Sequence, residues 1–270
     1  GRYCFTCFYR GQSFYGWQSQ PDVPTVQDAL EKSWSECLGV EVSVQGSGRT
    51  DRGVNALGQV AHVDIHESVS IPFSRWESLL NHRLSRDLGI SNLQPINNQF
   101  HARHSAIRRY YGYRFLLTDR NPLSRVFDPG AWVIASRNWN SERVRWLSSQ
   151  YNRGVPTDLF SGRGGSKHQA DRWSIRSRIR FRKPDEVWLL ISSKSSRYQM
   201  VRCLAGALQK FSAGQWSRQQ IMRRFQQNKG SFQPAPPQGC YLLGVGYPDD
   251  KPFQYRHESG GWNRVLECFS

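Results

Sequence analysis

The sequence predicts an α+β fold of two halves, and three observations carry that reading. Strand-like apolar segments alternate with capped helical stretches along the whole chain. The first part reads β-α-β-β-α, and the second part again mixes strands with covering helices, although no sequence repeat relates the two. The 270 residues suffice for two halves of roughly 130 residues with a real core. The expected division is residues 1–105 and 106–270.

Each element has its own signal. An apolar and aromatic strand over residues 3–9 runs into "RGQSFYGWQSQP", a loop marked by Gly, Ser and Pro. Thr25 then caps a helix with Asp28 at its third position, an apolar stripe of Val26, Ala29, Leu30, Cys37 and Leu38, and Gly39 to close it. "VEVSV" and "QVAHVDI" read as strands flanking a glycine-bounded loop. Ser74 with Glu77 forms a capping-box pattern, which predicts a helix through Trp76, Leu79, Leu80, Leu84 and Leu88 to Gly89. In "IRRYYGYRFLL", residues 107–117, alternation puts Tyr111, Tyr113 and Phe115 on one face of a strand. A short helix follows over residues 140–150. After it comes a Gly-, Ser- and Arg-rich stretch, read as a mobile basic loop feeding a strand near 176–182. "DEVWLLISS" is a strand, and "YQMVRCLAGALQKFSAG" a helix with Met200, Leu204, Ala207, Leu208 and Phe211 inward. A last helix starts at Ser217, and "GCYLLGVGY" is the final strand.

Composition narrows the function classes. Lys and Arg total 37 against 21 Asp and Glu, a formal charge of +16. Such a field attracts polyanions, and most of the cations are arginine, whose planar fork pairs with phosphate and stacks on bases. RNA or DNA is therefore the expected partner. The six cysteines have no repeating spacing, and Cys4 and Cys7 would face opposite ways in a strand, so reduced core thiols are expected. No HExxH motif and no apolar run of membrane-spanning length occurs, so no metal and no membrane partner is expected. The chain opens at Gly1 with no initiator methionine or targeting segment in view; any such segment is expected to have been removed, and the arginine-rich composition tilts the expected location slightly from cytoplasm to mitochondrion.

The stretch "SGRTDRGVNALGQVAHVDI" sets one carboxylate, Asp51, between Arg49 and Arg52. Taken alone, an Asp in a Gly-bounded loop is most often turn chemistry. Five motifs in order change its weight: this loop, "YRGQSFYGWQSQP" followed by "TVQ", "FHARHSAIRRYYGYRF", "YQMVRCLAG" and "APPQGCYLLGVGYP". Together they resemble the TruA-type tRNA pseudouridine synthases over nearly the whole chain.

That resemblance implies two ferredoxin-like or RRM-like halves joined into one extended, mostly antiparallel sheet, with helices on one face and a basic cleft on the other. It implies Asp51, Tyr111 and Arg202 as catalytic: Asp51 acting on the nucleoside, Arg202 keeping that carboxylate charged, and Tyr111 packing on the uracil. Arg49 would help displace and hold the flipped nucleotide. Arg52, Asn55, Arg103, Arg163, Lys167, Arg172, Arg176 and Arg178 complete the expected RNA contacts. No cofactor is implied, because the isomerisation needs neither a redox step nor an energy source. Partners would be tRNA, or ribosomal RNA if the chain is a non-catalytic factor in ribosome assembly, with a homodimer as the usual assembly. Four positions depart from the family's pattern: Arg10, Arg52, Asn55 and Cys203. Arg52 would either bind phosphate or compete with Arg202 for Asp51.

Overall fold

The structure, a computed structural model, describes residues 1–65, 72–119, 128–156, 158–161, 172–228 and 230–248. It is a mixed α+β fold whose strands pair mostly antiparallel. Two compact units form, one of Gly1–Arg109 together with the residues from Leu242, the other of Tyr110–Tyr241. The division therefore does not follow a single cut in the sequence. The final strand lies beside one of the first unit's own strands: a Cβ on Gly58 would stand 2.4 Å from the Leu243 carbonyl oxygen.

In the first unit, strand β1 (Arg2–Tyr9) is central. It pairs antiparallel with β3 (Asn55–Asp64) on one side and β4 (Leu88–Ile96) on the other. A short β2 (Val44–Gly46) adds to β3, and the last strand, β11 (Cys240–Gly246), follows β3 in the order β4-β1-β3-β11. Both faces of β1 are covered. Phe5 packs on Trp34 of helix α1 (Val26–Leu38), and Trp34 stacks on Trp76 of α2 (Trp76–Arg83). Cys4, on the opposite face, lies in a cluster with Val60, Phe100, Ala102, Val245 and Tyr247. Cys4 and Cys7 are both fully buried, and burial pushes the Cys4 thiol up to about 12.

Helix α1 forms as its caps predict: Thr25 accepts from the Asp28 amide, and Gly39 ends it. The second helix differs from expectation. Ser74 sits in a 3-10 turn, Phe73–Arg75, and α2 stops at Arg83 with Leu84 extended. Residues Leu88–Ile96 leave the helix and become β4, whose register with β1 runs from Tyr9↔Leu88 to Arg2↔Ile96. Pairing with β1 gives this segment a ladder of backbone bonds while burying Leu88 and Ile90. Side chains of α2 tie it in place: Asn81 bonds both the amide and the carbonyl of Ile90, and Glu77 accepts from the Leu93 amide instead of capping its own helix.

The second unit has strands in the order β5 (Arg108–Leu117), β10 (Glu186–Ser193), β9 (Ile175–Lys183), with β6 (Trp132–Ile134) parallel to β5. A separate two-stranded pair, β7 (Val155–Pro156) and β8 (Arg172–Trp173), stands apart from it. Three helices complete the unit: α3 (Ser141–Tyr151), α4 (Met200–Ser212) and α5 (Arg218–Gln227). Tyr113 and Phe115 are fully buried. One charge network ties three strands together. Arg114 of β5 meets Asp128 at 2.5 Å and Glu186 of β10 at 3.2 Å, and Arg182 of β9 meets Glu186 at 3.4 Å. Glu186 also accepts from the Trp188 indole at 2.7 Å. Burial alone would raise the Glu186 pKa, but its hydrogen bonds and the two guanidinium charges outweigh that and hold it below the usual carboxylate range.

Candidate active site

The Asp51 loop leaves the sheet where β2 and β3 part. Their last pair is Gly46↔Ala61, after which the Ser47 amide still bonds the Val60 carbonyl. Asp51 opens a turn closed by the Val54 amide on the Asp51 carbonyl at 3.1 Å. Gly53 takes φ 79°, as the third position of a type II turn requires. The loop is pinned from beneath by Gln59, which is fully buried: its carboxamide oxygen accepts from the Ser47 hydroxyl at 2.6 Å, and its nitrogen donates to the Gly48 carbonyl at 2.7 Å. Arg109 donates to the Ser47 carbonyl at 2.6 Å and to the Arg103 carbonyl at 3.1 Å.

The first loop of the chain forms the other wall. Tyr9 shares a 2.8 Å hydrogen bond with the Thr50 hydroxyl, and the Trp17 amide donates to the Thr50 carbonyl. At Gly16, with φ 98°, a Cβ would come within 2.7 Å of that same carbonyl oxygen. Asp51 is thereby fixed from both sides, partly buried, on backbone that cannot shift without breaking buried or half-buried hydrogen bonds. Arg52 lays its guanidinium over the Tyr15 ring, 3.9 Å from the centroid.

In the second unit, β5 alternates as expected. The Tyr113 hydroxyl donates to the Pro236 carbonyl at 2.6 Å, and burial raises its pKa well above the ordinary value. Tyr111, one alternate position earlier, is only partly buried, and its hydroxyl shares a 2.9 Å hydrogen bond with Ser196. Arg202 stands in the first turn of α4. Its Nε donates to the Ala235 carbonyl at 2.8 Å, and the Ala235 amide returns a bond to the Arg202 carbonyl at 2.9 Å.

The expected RNA-contacting residues are divided between the two units. Arg49, Arg52 and Arg103 are exposed in the first unit. Arg176 and Arg178 are exposed on one face of β9, while Ile175 and Ser177 are buried on the other. Arg172 lies in β8 opposite Pro156. Arg163 and Lys167 lie outside the described residues. Asn55 requires correction: it is 6% exposed, and its side-chain oxygen accepts from the Gly11 amide at 2.9 Å, so it joins the two loops instead of facing RNA. Sequence reading missed Gln59, Arg109 and Ser196 as positioning residues. The "GQV" string did carry Gln59, but a buried carboxamide reveals its role only when its partners are known.

A family model described as tRNA pseudouridine synthase matches residues 8–105. The tRNA pseudouridine synthase A of Akkermansia muciniphila is 31% identical over 255 residues, covering 91% of this chain and 95% of that protein. Its counterpart from Maricaulis maris is 33% identical over 254 residues, covering 92% and 98% respectively. The chain belongs to the tRNA pseudouridine synthase A family. Within that family frame, each of the four departures has a place in the fold. Arg10 faces Asp87 at 3.8 Å, Arg52 rests on Tyr15, Asn55 braces Gly11, and Cys203 is fully buried in the core side of α4.

Proposed function

We propose that this protein isomerises uridine to pseudouridine in tRNA. The carrying observation is the likeness to tRNA pseudouridine synthases A along nine-tenths of the chain, with the matched family model spanning the Asp51 loop. The reaction breaks the bond between ribose C1′ and uracil N1, turns the base, and joins C1′ to C5; the proton lost from C5 is balanced by one gained at N1. An ionised carboxylate suits it, because it can add to the sugar or the base, or take a proton from the sugar, and then leave. Asp51 is assigned that role. A stacked uridine must be extruded first, at a cost of a few kcal/mol, and a stacked aromatic ring returns about 1–3 kcal/mol. Tyr111 is assigned the ring, with its hydroxyl oriented by Ser196. Arg202 is assigned the cation that the chemistry needs, held at a fixed bearing by Ala235.

The test uses an unmodified tRNA transcript pool and mass-spectrometric mapping of pseudouridine. Wild type converts defined uridines, and the isosteric Asp51→Asn converts none while binding the same RNA within a few-fold. Retained turnover in Asp51→Asn would remove Asp51 from the chemistry. The same family membership supports a homodimer, which sedimentation tests, and the arginine-rich composition supports a mitochondrial location, which cell fractionation tests.

A further inference from the structure

A cavity of about 360 Å³ lies in the second unit at the start of α4, lined among the described residues by Ser161, Tyr198, Gln199, Ser231, Phe232, Gln233 and Pro234. That volume is within the range of small-ligand sites, roughly 300–1,000 Å³. Tyr198 is 53% exposed, more than any other large hydrophobic side chain among the described residues. Gln199 holds φ 59°, a left-handed backbone uncommon for a residue with a side chain, and strain of this kind is kept where the surroundings over-determine it. Phe232 is buried and fixes the floor.

Most of the polar lining is uncommitted, the exception being Ser161, whose hydroxyl accepts from Arg197. Among the described residues, the side chains of Gln199, Ser231 and Gln233 make no hydrogen bond. Two carboxamides and a hydroxyl offer adjacent donors and acceptors, the complement of a nucleobase edge. Among the described residues, no cationic side chain lines the cavity. The nearby Arg197 is matched by Asp158 at 3.6 Å and by the Ser161 hydroxyl at 3.5 Å. Described lining that is neutral and amide-rich, with an open tyrosine face, suits an uncharged planar ring better than a phosphate. Unstacked bases of RNA are recognised in this way, by an aromatic face and by hydrogen bonds to the base edge.

We infer that this cavity is an accessory nucleobase pocket, which takes a base of the substrate RNA other than the isomerised uridine by stacking it on Tyr198. The inference rests on the proposed RNA substrate. It is favoured over a free-nucleotide site by continuity along the chain: Ser196, which bonds Tyr111, lies two residues before Tyr198, and Arg202 lies one turn into the helix that Gln199 precedes.

The experiment is a coupling cycle read by binding. A set of substrate tRNAs, each with one abasic nucleotide, is titrated with wild type, Tyr198→Ala and Tyr198→Phe. With intact RNA, Tyr198→Ala is expected to bind about 5- to 160-fold more weakly, the range of one lost base stack. Tyr198→Phe keeps the ring and should stay near wild type. For one abasic position away from the target uridine, wild type should lose affinity by a similar factor, and Tyr198→Ala should lose no more. If every abasic RNA still shows the full Tyr198→Ala penalty, or if Tyr198→Ala binds as wild type does, the pocket is overturned while pseudouridine formation by wild type still stands. If wild type binds RNA with the expected coupling yet forms no pseudouridine, the pocket stands and the catalytic reading falls. Failure of wild type to bind any tRNA overturns both. A free nucleoside monophosphate that binds wild type and not Tyr198→Ala, with no abasic position coupled, would make the pocket a nucleotide site and likewise overturn the inference.

Discussion

Two buried polar side chains show what holds the Asp51 loop and its supporting strand at the scale of single residues. Gln59 satisfies the Ser47 hydroxyl and the Gly48 carbonyl together. Gln59→Leu keeps the volume but leaves the buried Ser47 hydroxyl without its partner at about 1–3 kcal/mol, and the half-buried Gly48 carbonyl without its partner at about 1 kcal/mol. The variant should lose about 2–4 kcal/mol in urea denaturation, and its turnover under native conditions should fall further than the unfolded fraction explains, because the backbone under Asp51 loses its anchor. His62, three residues along β3, is 3% exposed, accepts from the Ala102 amide at 3.2 Å and meets the His101 ring edge to face. Burial first, then the charges of Arg2 and His101, lower its pKa to about 4. The unfolded chain therefore binds a proton near pH 6.5 that the folded chain refuses until about pH 4. Stability from this group is complete above the upper value and is lost as pH falls toward the lower, by on the order of 2–3 kcal/mol at pH 4.5. Urea midpoints of wild type and His62→Gln across that window should differ in slope, with the variant flatter; parallel slopes would assign the acid sensitivity to the carboxylates.

At the scale of elements, what could be read in the sequence was what is local. Helix α1 carries its own start and stop in Thr25 and Gly39, and β5 carries its own alternation, so both stand where expected. Strand β4 does not, because Leu84 and Leu88 are spaced as a helix would space them, and only the partner strand β1, some eighty residues earlier, decides otherwise. Asn55 fails for the same reason one level down: its partner Gly11 is remote in sequence. Asp51, Tyr111 and Arg202, the residues proposed for catalysis, could be singled out only through the resemblance, since no local pattern separates a reactive carboxylate from a turn. Strand β9 gives the element-level prediction. It ends the β5-β10-β9 order, and its alternation sends Arg176 and Arg178 to the face opposite buried Ile175 and Ser177. A strand rise sets these two guanidinium stems about 6.6–6.8 Å apart, a repeat suited to successive phosphates of one RNA strand. Replacing both by Ala should weaken tRNA binding and lower the slope of log affinity against log salt by about 1.5, from two lost phosphate contacts. An unchanged slope with weaker binding would mean that the arginines act through structure.

For the whole molecule, the charge of +16 and the interleaved chain path make separate demands. The charge keeps the chain soluble and draws RNA to it, but it adds self-repulsion that the cores must overcome. The path makes the first core depend on the last strand. Residues Leu242, Leu243, Val245 and Tyr247 are each 4% exposed or less, and Val245 and Tyr247 close the cluster around Cys4, Val60 and Phe100. Full burial of such side chains is worth about 1.5–3 kcal/mol apiece, so the four contribute roughly 6–12 kcal/mol, comparable with the 5–15 kcal/mol that holds a typical domain together. The Tyr247 hydroxyl also satisfies the Ala102 carbonyl at 2.6 Å, a bond that no residue of 1–109 replaces. A fragment of residues 1–109 should therefore fail to fold, showing no cooperative thermal transition and exposing its apolar sheet face to a hydrophobic dye. The same fragment joined through a flexible linker to residues 239–248 should regain a cooperative transition and lose the dye binding. If the bare fragment melts cooperatively, the final strand is an addition to a core already complete, and the dependence of the first unit on the chain's return is disproved.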